Sequence, residues 1–244
     1  MLRMKTGLKK RLNLNYLDLT NKAWKVGVFD FPKLQCNPPV LPDYIALYTQ
    51  VCEYHKTRLT CLSFYNYDAS FDGIDGLYNA IYYNDKKRLL FYKKRFEGIK
   101  FFIMPDYSVC GDIDRAENIY RIVKARRVSL WLTLELNAIV FPNISFSCKR
   151  DFDFILDGLE DTRYVAFSTK GAVHSKTDRE LLVEAVKLVT DGLPHLKGII
   201  VYDVCQGNDF TDKVFSYAEE HGIGVLVLPN SLKRRNMIRK ECME

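Results

Sequence analysis

Three apolar runs in the sequence end alike, in proline followed by Asp or Asn and then by serine. These runs are FFIMPDYS (101–108), AIVFPNIS (138–145) and VLVLPNS (225–231). Proline has no N–H to donate to a sheet and disfavours helix at the preceding residue, so it ends a strand cleanly. Asp, Asn and Ser can cap the turn or helix that follows. The repeated ending therefore places acidic, amide and hydroxyl side chains at the ends of three predicted strands.

Parallel strands all point one way, so such endings meet at the carboxyl edge of a sheet, where α/β proteins place ligands and catalytic groups. A single residue of this kind is explained by capping alone. A lysine and two aspartates are not needed as caps, however, so the assembled set predicts a shared site. The predicted catalytic residues are Asp106, Lys170 and Asp203, and the predicted ligand-binding residues are Ser108, Asn143, Ser145, Ser168, Thr169 and Asn230.

The chemistry open to this set depends on its lysine and its two carboxylates. Lys170 lies in STKG (168–171), where an amine beside hydroxyls suits a phosphate ligand or a Schiff base, although a lone lysine there is often only solvated. Asp106 and Asp203 suit an acid–base pair or Mg²⁺ ligands if the fold brings them together. The cofactor is otherwise unknown. The sequence lacks a Walker loop, a GxGxxG loop after a strand and a GxSxG elbow, which argues against those nucleotide-binding and hydrolase sites.

From Gly98 onward, apolar runs alternate with segments of helical periodicity. Helices are predicted over 116–136, 175–193 and 209–222, and the apolar runs between them lack the alternation of a half-exposed strand. Runs that are apolar throughout suit parallel strands covered on both faces, and the repeat is close to the length of a βαβ unit. Residues 98–231 are therefore the most regular part of a predicted α/β fold.

The first 97 residues predict two further strands, KVGVFDF (25–31) and RLTCLSFYNYD (58–68), with a helix over DYIALYTQVCEYH (43–55) between them. A basic helix is predicted over 83–98. With five strands after Gly98, the total of seven predicts a mainly parallel sheet forming a complete or partial TIM-like (β/α) barrel. An open doubly wound sheet is the alternative.

Composition predicts a single α/β domain over residues 1–244. Seven dispersed cysteines without a CxxC pair, and four histidines without ligand spacing, make a disulfide framework or a zinc site improbable and favour the cytoplasm. No apolar run approaches the length of a membrane span, so no membrane association is predicted. The net charge is +6, but the segments 1–17 and 232–244 carry ten of the 36 basic residues and are predicted to be basic tails.

A second concentration of positive charge lies on two predicted helices. Arg121, Lys124 and Arg127 recur at intervals of three residues, and Lys93, Lys94 and Arg95 are consecutive. Such residues can contact the nucleic-acid backbone. The alternative is that they are simply the solvated faces of their helices.

The order of several motifs resembles an uncharacterised domain family of bacteriophages and bacterial mobile elements. The motifs are PDYS, NIYRIVKARR, IVFPNIS, FDFILDGLED, VAFSTKGAV and IIVYDV, and FYNYDASFDG (64–73) is similar to the acidic aromatic segment of that family. The family has a PDFS-like motif, a VIP-type strand after glycine and a strand ending in Tyr-Gly. This chain has Asn137 in place of that glycine and ends the last strand in Tyr202-Asp203. The resemblance covers about 58–203. It implies a protein of a phage or mobile element, but it implies no particular reaction.

These features predict a nucleic-acid-associated accessory factor, with DNA or RNA as partner and a phosphate or nucleotide held at the sheet edge. The alternative is a barrel enzyme acting on a small nucleoside or sugar. A structural or protein-interaction module is the third hypothesis. Whether the protein is an enzyme is left open by the sequence.

Overall fold

The structure is a computed structural model that describes residues 7–173 and 175–241. Its strands are β1 Lys25–Val26, β2 Phe31–Pro32, β3 Tyr44–Leu47, β4 Thr60–Ser63, β5 Phe101–Ile103, β6 Ile139–Phe141, β7 Tyr164–Ser168, β8 Gly198–Tyr202 and β9 Gly224–Val227. Its α-helices are α1 Leu8–Arg11, α2 Leu17–Thr20, α3 Leu77–Tyr83, α4 Lys86–Arg95, α5 Arg115–Leu136, α6 Lys176–Gly192, α7 Asp209–Glu220 and α8 Ser231–Glu241. Short 3₁₀ segments lie at Val51–Glu53, Asp68–Ser70 and Lys149–Asp153.

Seven strands form two parallel sheets, which confirms the predicted α/β class. One sheet has the order β3-β4-β5-β6 and the other β7-β8-β9, so the order within each follows the chain. An isolated bridge between Asn143 and Ala166 joins the two sheets at one side. At the other side, the Ile45 N–H donates to the Pro229 carbonyl at 3.0 Å. The described residues therefore form no continuously hydrogen-bonded closed barrel, and the interrupted pairing agrees with the open alternative.

The two faces of the sheets bury two different cores. Successive strand residues point to opposite faces. On β7, Val165 and Phe167 pack in the larger core with the helices, whereas Ala166 belongs to a smaller interior core. All seven parallel strands or the residues just beyond them contribute to that interior core, which includes Ile45, Cys61, Phe101, Phe141, Ala166, Ile200 and Leu228. Residues of all seven strands thus share one interior core, and the carboxyl ends of the strands form the rim of the two sheets.

Two predictions for the N-terminal third are wrong. Residues 44–47, inside the predicted helix 43–55, form β3, which pairs with β4 in parallel register. The segment 25–31, predicted as a strand of the main sheet, instead contributes to the antiparallel pair of β1 and β2. Short apolar segments such as YIAL carry no periodicity that separates strand from helix, so pairing with β4 decides the outcome.

The helices that flank the rim begin and end at recognisable residues. Ser175 caps α6, because its side chain accepts from the Asp178 N–H at 3.0 Å while Asp178 accepts from the Ser175 N–H. Asn137 follows α5 in the left-handed conformation at φ 52°. This requirement explains why Asn can stand there in place of glycine.

The two predicted basic tails contain helices in their described parts. Residues 8–11 form α1, where Lys9 pairs with Asp18, whereas Arg3 and Lys5 lie outside the described residues. Residues 231–241 form α8, and the side chains of 239–244 are not described. The C-terminal segment is therefore helical over its described part. No helix within the described ranges is both long and apolar enough to cross a membrane.

Candidate functional site

The endings of β5 and β6 meet around one carboxylate. Asp106 follows β5, and Asn143 and Ser145 follow β6. The Asp106 Oδ1 atom accepts a hydrogen bond from Asn143 Nδ2 at 2.8 Å and from Ser145 Oγ at 3.1 Å. Tyr65, beyond β4, donates its hydroxyl to Asn143 Oδ1 at 2.6 Å and so fixes the orientation of the amide. Asp106 is thus held by two neutral donors from the end of the neighbouring strand β6.

The proline endings explain why these side chains converge. The Ala166 N–H donates to the Pro142 carbonyl at 2.8 Å, and the Ile144 N–H donates to the Ala166 carbonyl at 3.0 Å. The PNIS segment (142–145) therefore continues as an extended backbone that bridges the two sheets. Asn143 and Ser145, two residues apart in this extended segment, lie on one face and both reach Asp106.

Lys170, beyond β7, lies across the same opening. Its Nζ atom donates to the Tyr65 carbonyl at 2.7 Å and lies 5.2 Å from the centre of the Tyr67 ring. No carboxylate lies within ion-pair distance of this amine among the described residues. Lys170, Asp106 and the two donors to Asp106 line a cleft of about 410 Å³, together with Ser108 and Ser168. A carboxyl and an amine without a mutual ion pair thus face one cavity.

Burial shifts the pKa values of both Asp106 and Lys170. It raises the pKa of Asp106 to about 6, against the opposing effect of the hydrogen bonds from Ser145 and Asn143, with the nearby Asp68 charge adding to the rise. Burial also lowers the pKa of the Lys170 amine, and the Asp106 charge partly offsets this. Displaced pKa values in a cleft are typical of functional acids and bases.

One loop contacts Lys170 and Ser108 of the cleft lining and carries residues that were not predicted as site residues. Tyr65 and Tyr67 contact Lys170 from this 64–73 loop. Asp68 accepts from both the backbone N–H and the hydroxyl of Ser108, at 3.1 and 3.0 Å, and pairs with Arg121 at 2.8 Å. The signal for this loop in the sequence is FYNYDASFDG (64–73). Its density of Tyr and Asp beside a strand end could have identified it.

Asp203, the third predicted catalytic residue, lies in a separate cluster beyond β8. Its carboxylate is fully buried and accepts from Thr169 Oγ1 at 2.9 Å, the Cys205 N–H at 3.0 Å and Lys233 Nζ at 2.5 Å. Burial alone would raise the pKa of Asp203, but the hydrogen bond from Lys233, with those from Cys205 and Thr169, lowers the pKa below its usual value. Asp203 does not line the cleft that holds Asp106 and Lys170.

The remaining predicted ligand-binding residues divide between the two clusters. Ser168 Oγ accepts from the Lys170 N–H at 3.0 Å beside the cleft. Asn230 instead bonds within the Asp203 cluster, because its Nδ2 donates to the Asp203 carbonyl at 2.9 Å and its Oδ1 accepts from the Lys233 N–H at 2.9 Å. Asn230 therefore caps α8. The structure brings together the predicted residues Asp106, Ser108, Asn143, Ser145, Ser168 and Lys170 at the cleft. It places Thr169, Asp203 and Asn230 in the second cluster.

The predicted basic stripe is largely engaged within the protein. Arg121 pairs with Asp68 and Glu117, and Lys124 pairs with Asp72. Arg127 donates to the Tyr78 hydroxyl at 2.9 Å and lies 4.0 Å from the centre of the Tyr16 ring. Lys93 pairs with Glu135, and Arg95 donates to the Tyr48 carbonyl at 2.9 Å. Lys94, the sixth predicted residue, is exposed.

Mg²⁺ at an Asp106–Asp203 pair has no geometric support. The Asp203 carboxylate is occupied by Lys233, and the two aspartates do not share the cleft. Across 7–173 and 175–241, no group of three or more His, Cys, Asp or Glu residues is arranged to hold a metal ion.

Comparison with known families assigns the chain. Residues 23–218 match the model of a domain of unknown function, DUF4417. The chain belongs to the DUF4417 family. No curated protein and no solved structure matches it. The matched residues include Asp106, Asn143, Ser145 and Lys170, whereas Lys233 lies beyond the matched segment. The cleft therefore belongs to the DUF4417 domain itself, and the helix that supplies Lys233 follows it.

Proposed function

We propose that this DUF4417 protein is an enzyme that acts on a small hydroxyl-bearing molecule, a nucleoside or a sugar, in the cleft beside Asp106. The observation that carries the proposal is the Asp106 carboxyl, whose pKa is raised by burial to about 6. A group with such a pKa exchanges a proton near neutral pH, which is the requirement for a general acid or base. Asp106 is the proposed catalytic residue.

The hydrogen bonds of Asp106 support this role. Both protein donors contact Oδ1, and Oδ2 has no hydrogen-bond partner among the described residues. One oxygen therefore fixes the carboxyl, while the other remains available to a substrate hydroxyl. Lys170, on the same cleft, supplies an amine that can stabilise negative charge or bind an oxygen of the substrate.

The lining of the cleft supports the proposed substrate class. Ser108, Ser145, Ser168 and Asn143 provide hydroxyl and amide groups that can exchange hydrogen bonds with substrate hydroxyls. Tyr67 beside Lys170 is 80% exposed, so its ring is free to stack on a nucleobase or on the apolar face of a sugar ring.

The test begins with thermal denaturation in the presence of a panel of pentoses, hexoses, nucleosides and nucleotides. We expect at least one of these compounds to raise the melting temperature of the wild type, because a ligand that binds only the folded state stabilises it. Conversion of that compound is then followed by NMR. Asp106→Asn is expected to retain binding and to lower the conversion rate by about 100-fold or more.

The matched control is Asp209→Asn, which changes an exposed aspartate on α7 in the same way. It is expected to leave both binding and conversion unchanged. The proposal is wrong if no compound of the panel shifts the melting temperature of the wild type. It is equally wrong if Asp106→Asn converts the ligand at the wild-type rate.

A second proposed function is association with DNA or RNA as an accessory factor of a phage or mobile element in the cytoplasm. The supporting observation is positive charge that the protein leaves unpaired. Lys86, Lys87 and Lys94 on α4 are exposed and form no ion pair within the described part of the chain, and the whole chain has a net charge of +6. The PDYS motif is similar to the PDFS-like motif of the mobile-element family, which supports a role in a phage or mobile element.

A further inference from the structure

A groove lies at the amino edge of the sheets, opposite the cleft. Its volume is about 550 Å³, and it is formed by the residues that lead into β4 and β5. Lys56, Arg58 and Lys100 line it together with His55, and none of the lining residues is acidic. Asp43 accepts a hydrogen bond from the Thr57 hydroxyl at the edge of the groove.

The cations of this groove differ from those of the predicted stripe. Lys56, Arg58 and Lys100 are exposed and form no ion pair or side-chain hydrogen bond within 7–173 and 175–241. Arg121 and Lys124, in contrast, are paired with aspartates of the 64–73 loop. The groove therefore retains its positive charge in the folded protein, whereas the stripe does not.

A glycine and two threonine hydroxyls complete the groove. Gly98 has φ 80°, and a side chain there would approach His55 Cε1 to 3.3 Å, so glycine leaves this part of the groove unfilled. The hydroxyls of Thr57 and Thr60 also line it and bond to each other at 3.1 Å. Lysine, arginine and threonine are the usual contacts to phosphate oxygens in nucleic-acid complexes.

The groove lacks the apolar residues that a membrane surface would require. Its apolar lining residues, Tyr54 and Ile99, are only 3% and 6% exposed. Proteins that lie on membranes insert exposed apolar side chains beside their basic residues. The groove has basic residues but no exposed apolar side chain that could insert into a membrane. It therefore suits a ligand that is bound through its phosphates alone.

We infer that this groove binds the phosphodiester backbone of a nucleic acid through Lys56, Arg58 and Lys100. The inference rests on the proposed association with DNA or RNA and is independent of the Asp106 cleft. Binding through phosphates releases counterions and carries no base readout, so it should be insensitive to sequence and steeply dependent on salt.

The test is fluorescence anisotropy with labelled single- and double-stranded DNA and RNA oligonucleotides of unrelated sequence. For three phosphate contacts, we expect affinity to fall roughly 20- to 40-fold between 50 and 200 mM salt. The combined variant Lys56→Gln, Arg58→Gln and Lys100→Gln should remove most of this salt dependence and reduce affinity at low salt at least 10-fold. Circular dichroism and the melting temperature should be unchanged, because all three side chains are exposed.

The matched control changes three exposed lysines elsewhere, Lys25→Gln, Lys187→Gln and Lys213→Gln, with the same loss of charge. It should reduce affinity much less than the groove variant. Equal losses in both variants would show that only net charge matters and would overturn the groove assignment while leaving nucleic-acid association intact. No binding of the wild type to any oligonucleotide at 50 mM salt would overturn both. Groove-dependent binding to anionic lipid vesicles, without binding to oligonucleotides, would also overturn the inference.

Discussion

Asp106 and Asp203 both follow strands of the parallel sheets, yet their surroundings differ in one decisive respect. Neutral donors, Asn143 and Ser145, hold Asp106, whereas the ammonium of Lys233 reaches Asp203. Burial raises the pKa of the first carboxyl to about 6, and the hydrogen bond from Lys233 overcomes burial to lower the pKa of the second. A buried carboxylate with a cationic partner stays ionised and serves as a structural anchor of the fold. A buried carboxyl with neutral partners can exchange a proton.

The largest expected effect comes from removing the cation of the anchor. Lys233→Ala leaves the fully buried Asp203 carboxylate without its counter-ion, and breaking a buried pair in this way costs about 3–5 kcal/mol. Urea unfolding followed by circular dichroism should show that loss. Lys149→Ala is the control, because it breaks an exposed pair with Glu184 and should cost less than about 1 kcal/mol. Equal and small losses of unfolding free energy in the two variants would contradict the structural role given to the Lys233–Asp203 pair.

A smaller effect of opposite sign is expected at Asp106. Because its pKa is raised by burial to about 6, the protonated carboxyl stabilises the fold fully below the unfolded-state pKa, and this contribution is lost as the pH rises through 6. Asp106→Asn cannot ionise, and its Oδ1 can accept both existing hydrogen bonds. The variant should therefore gain stability relative to the wild type between pH 4 and pH 8, by up to about 3 kcal/mol.

Chemical denaturation at several pH values measures this difference. Asp203→Asn provides the contrast, because the pKa of Asp203 is lowered by the hydrogen bond from Lys233 despite burial. Ionised Asp203 stabilises the fold above its unfolded-state pKa, and that contribution is lost as the pH falls through the lower folded-state pKa. The asparagine variant should thus lose stability relative to the wild type as the pH rises from acid to neutral. The same sign for both variants would contradict the comparison.

The smallest expected effect on stability is at Tyr67, beside Lys170. Tyr67→Ala removes a ring that is 80% exposed and should change the free energy of unfolding by less than about 0.5 kcal/mol. If the ring stacks on the ligand, the same variant weakens binding of a nucleoside or sugar by about 1–3 kcal/mol. Trp24→Ala, at an aromatic residue that is 83% exposed, is the control for both measurements. Unchanged binding in Tyr67→Ala would exclude stacking at this ring.

The carboxyl rim was predictable because its signals are local. Apolar runs followed by PDYS and PNIS predict where strands end, and parallel strands bring those ends to the same edge of a sheet. Asp106, Asn143 and Lys170 could therefore be assigned to one cleft from the sequence. The β3 strand could not, because YIAL suits either strand or helix until it pairs with β4.

The different surroundings of Asp106 and Asp203 could not be predicted, because they depend on contacts between residues distant in the sequence. Lys233 lies 30 residues after Asp203 and was predicted to be part of a basic tail. Arg121 and Lys124 show helical spacing that suits a basic surface, but their partners, Asp68 and Asp72, come from a loop about 50 residues earlier. Spacing within a segment identifies which face a charge occupies, whereas its partner is set by the tertiary fold.

The most direct test of the central claim is an NMR titration of the aspartate side-chain carboxyl carbons, with Asp106→Asn and Asp203→Asn used to assign the two signals. Burial raises the pKa of Asp106, so its signal should shift with a midpoint near pH 6. The hydrogen bond from Lys233 lowers the pKa of Asp203 despite burial, so its signal should shift with a midpoint below the ordinary range of an exposed aspartate. A midpoint for Asp106 at or below about pH 4, the ordinary range of an exposed aspartate, would contradict its assignment as the acid–base group of the cleft.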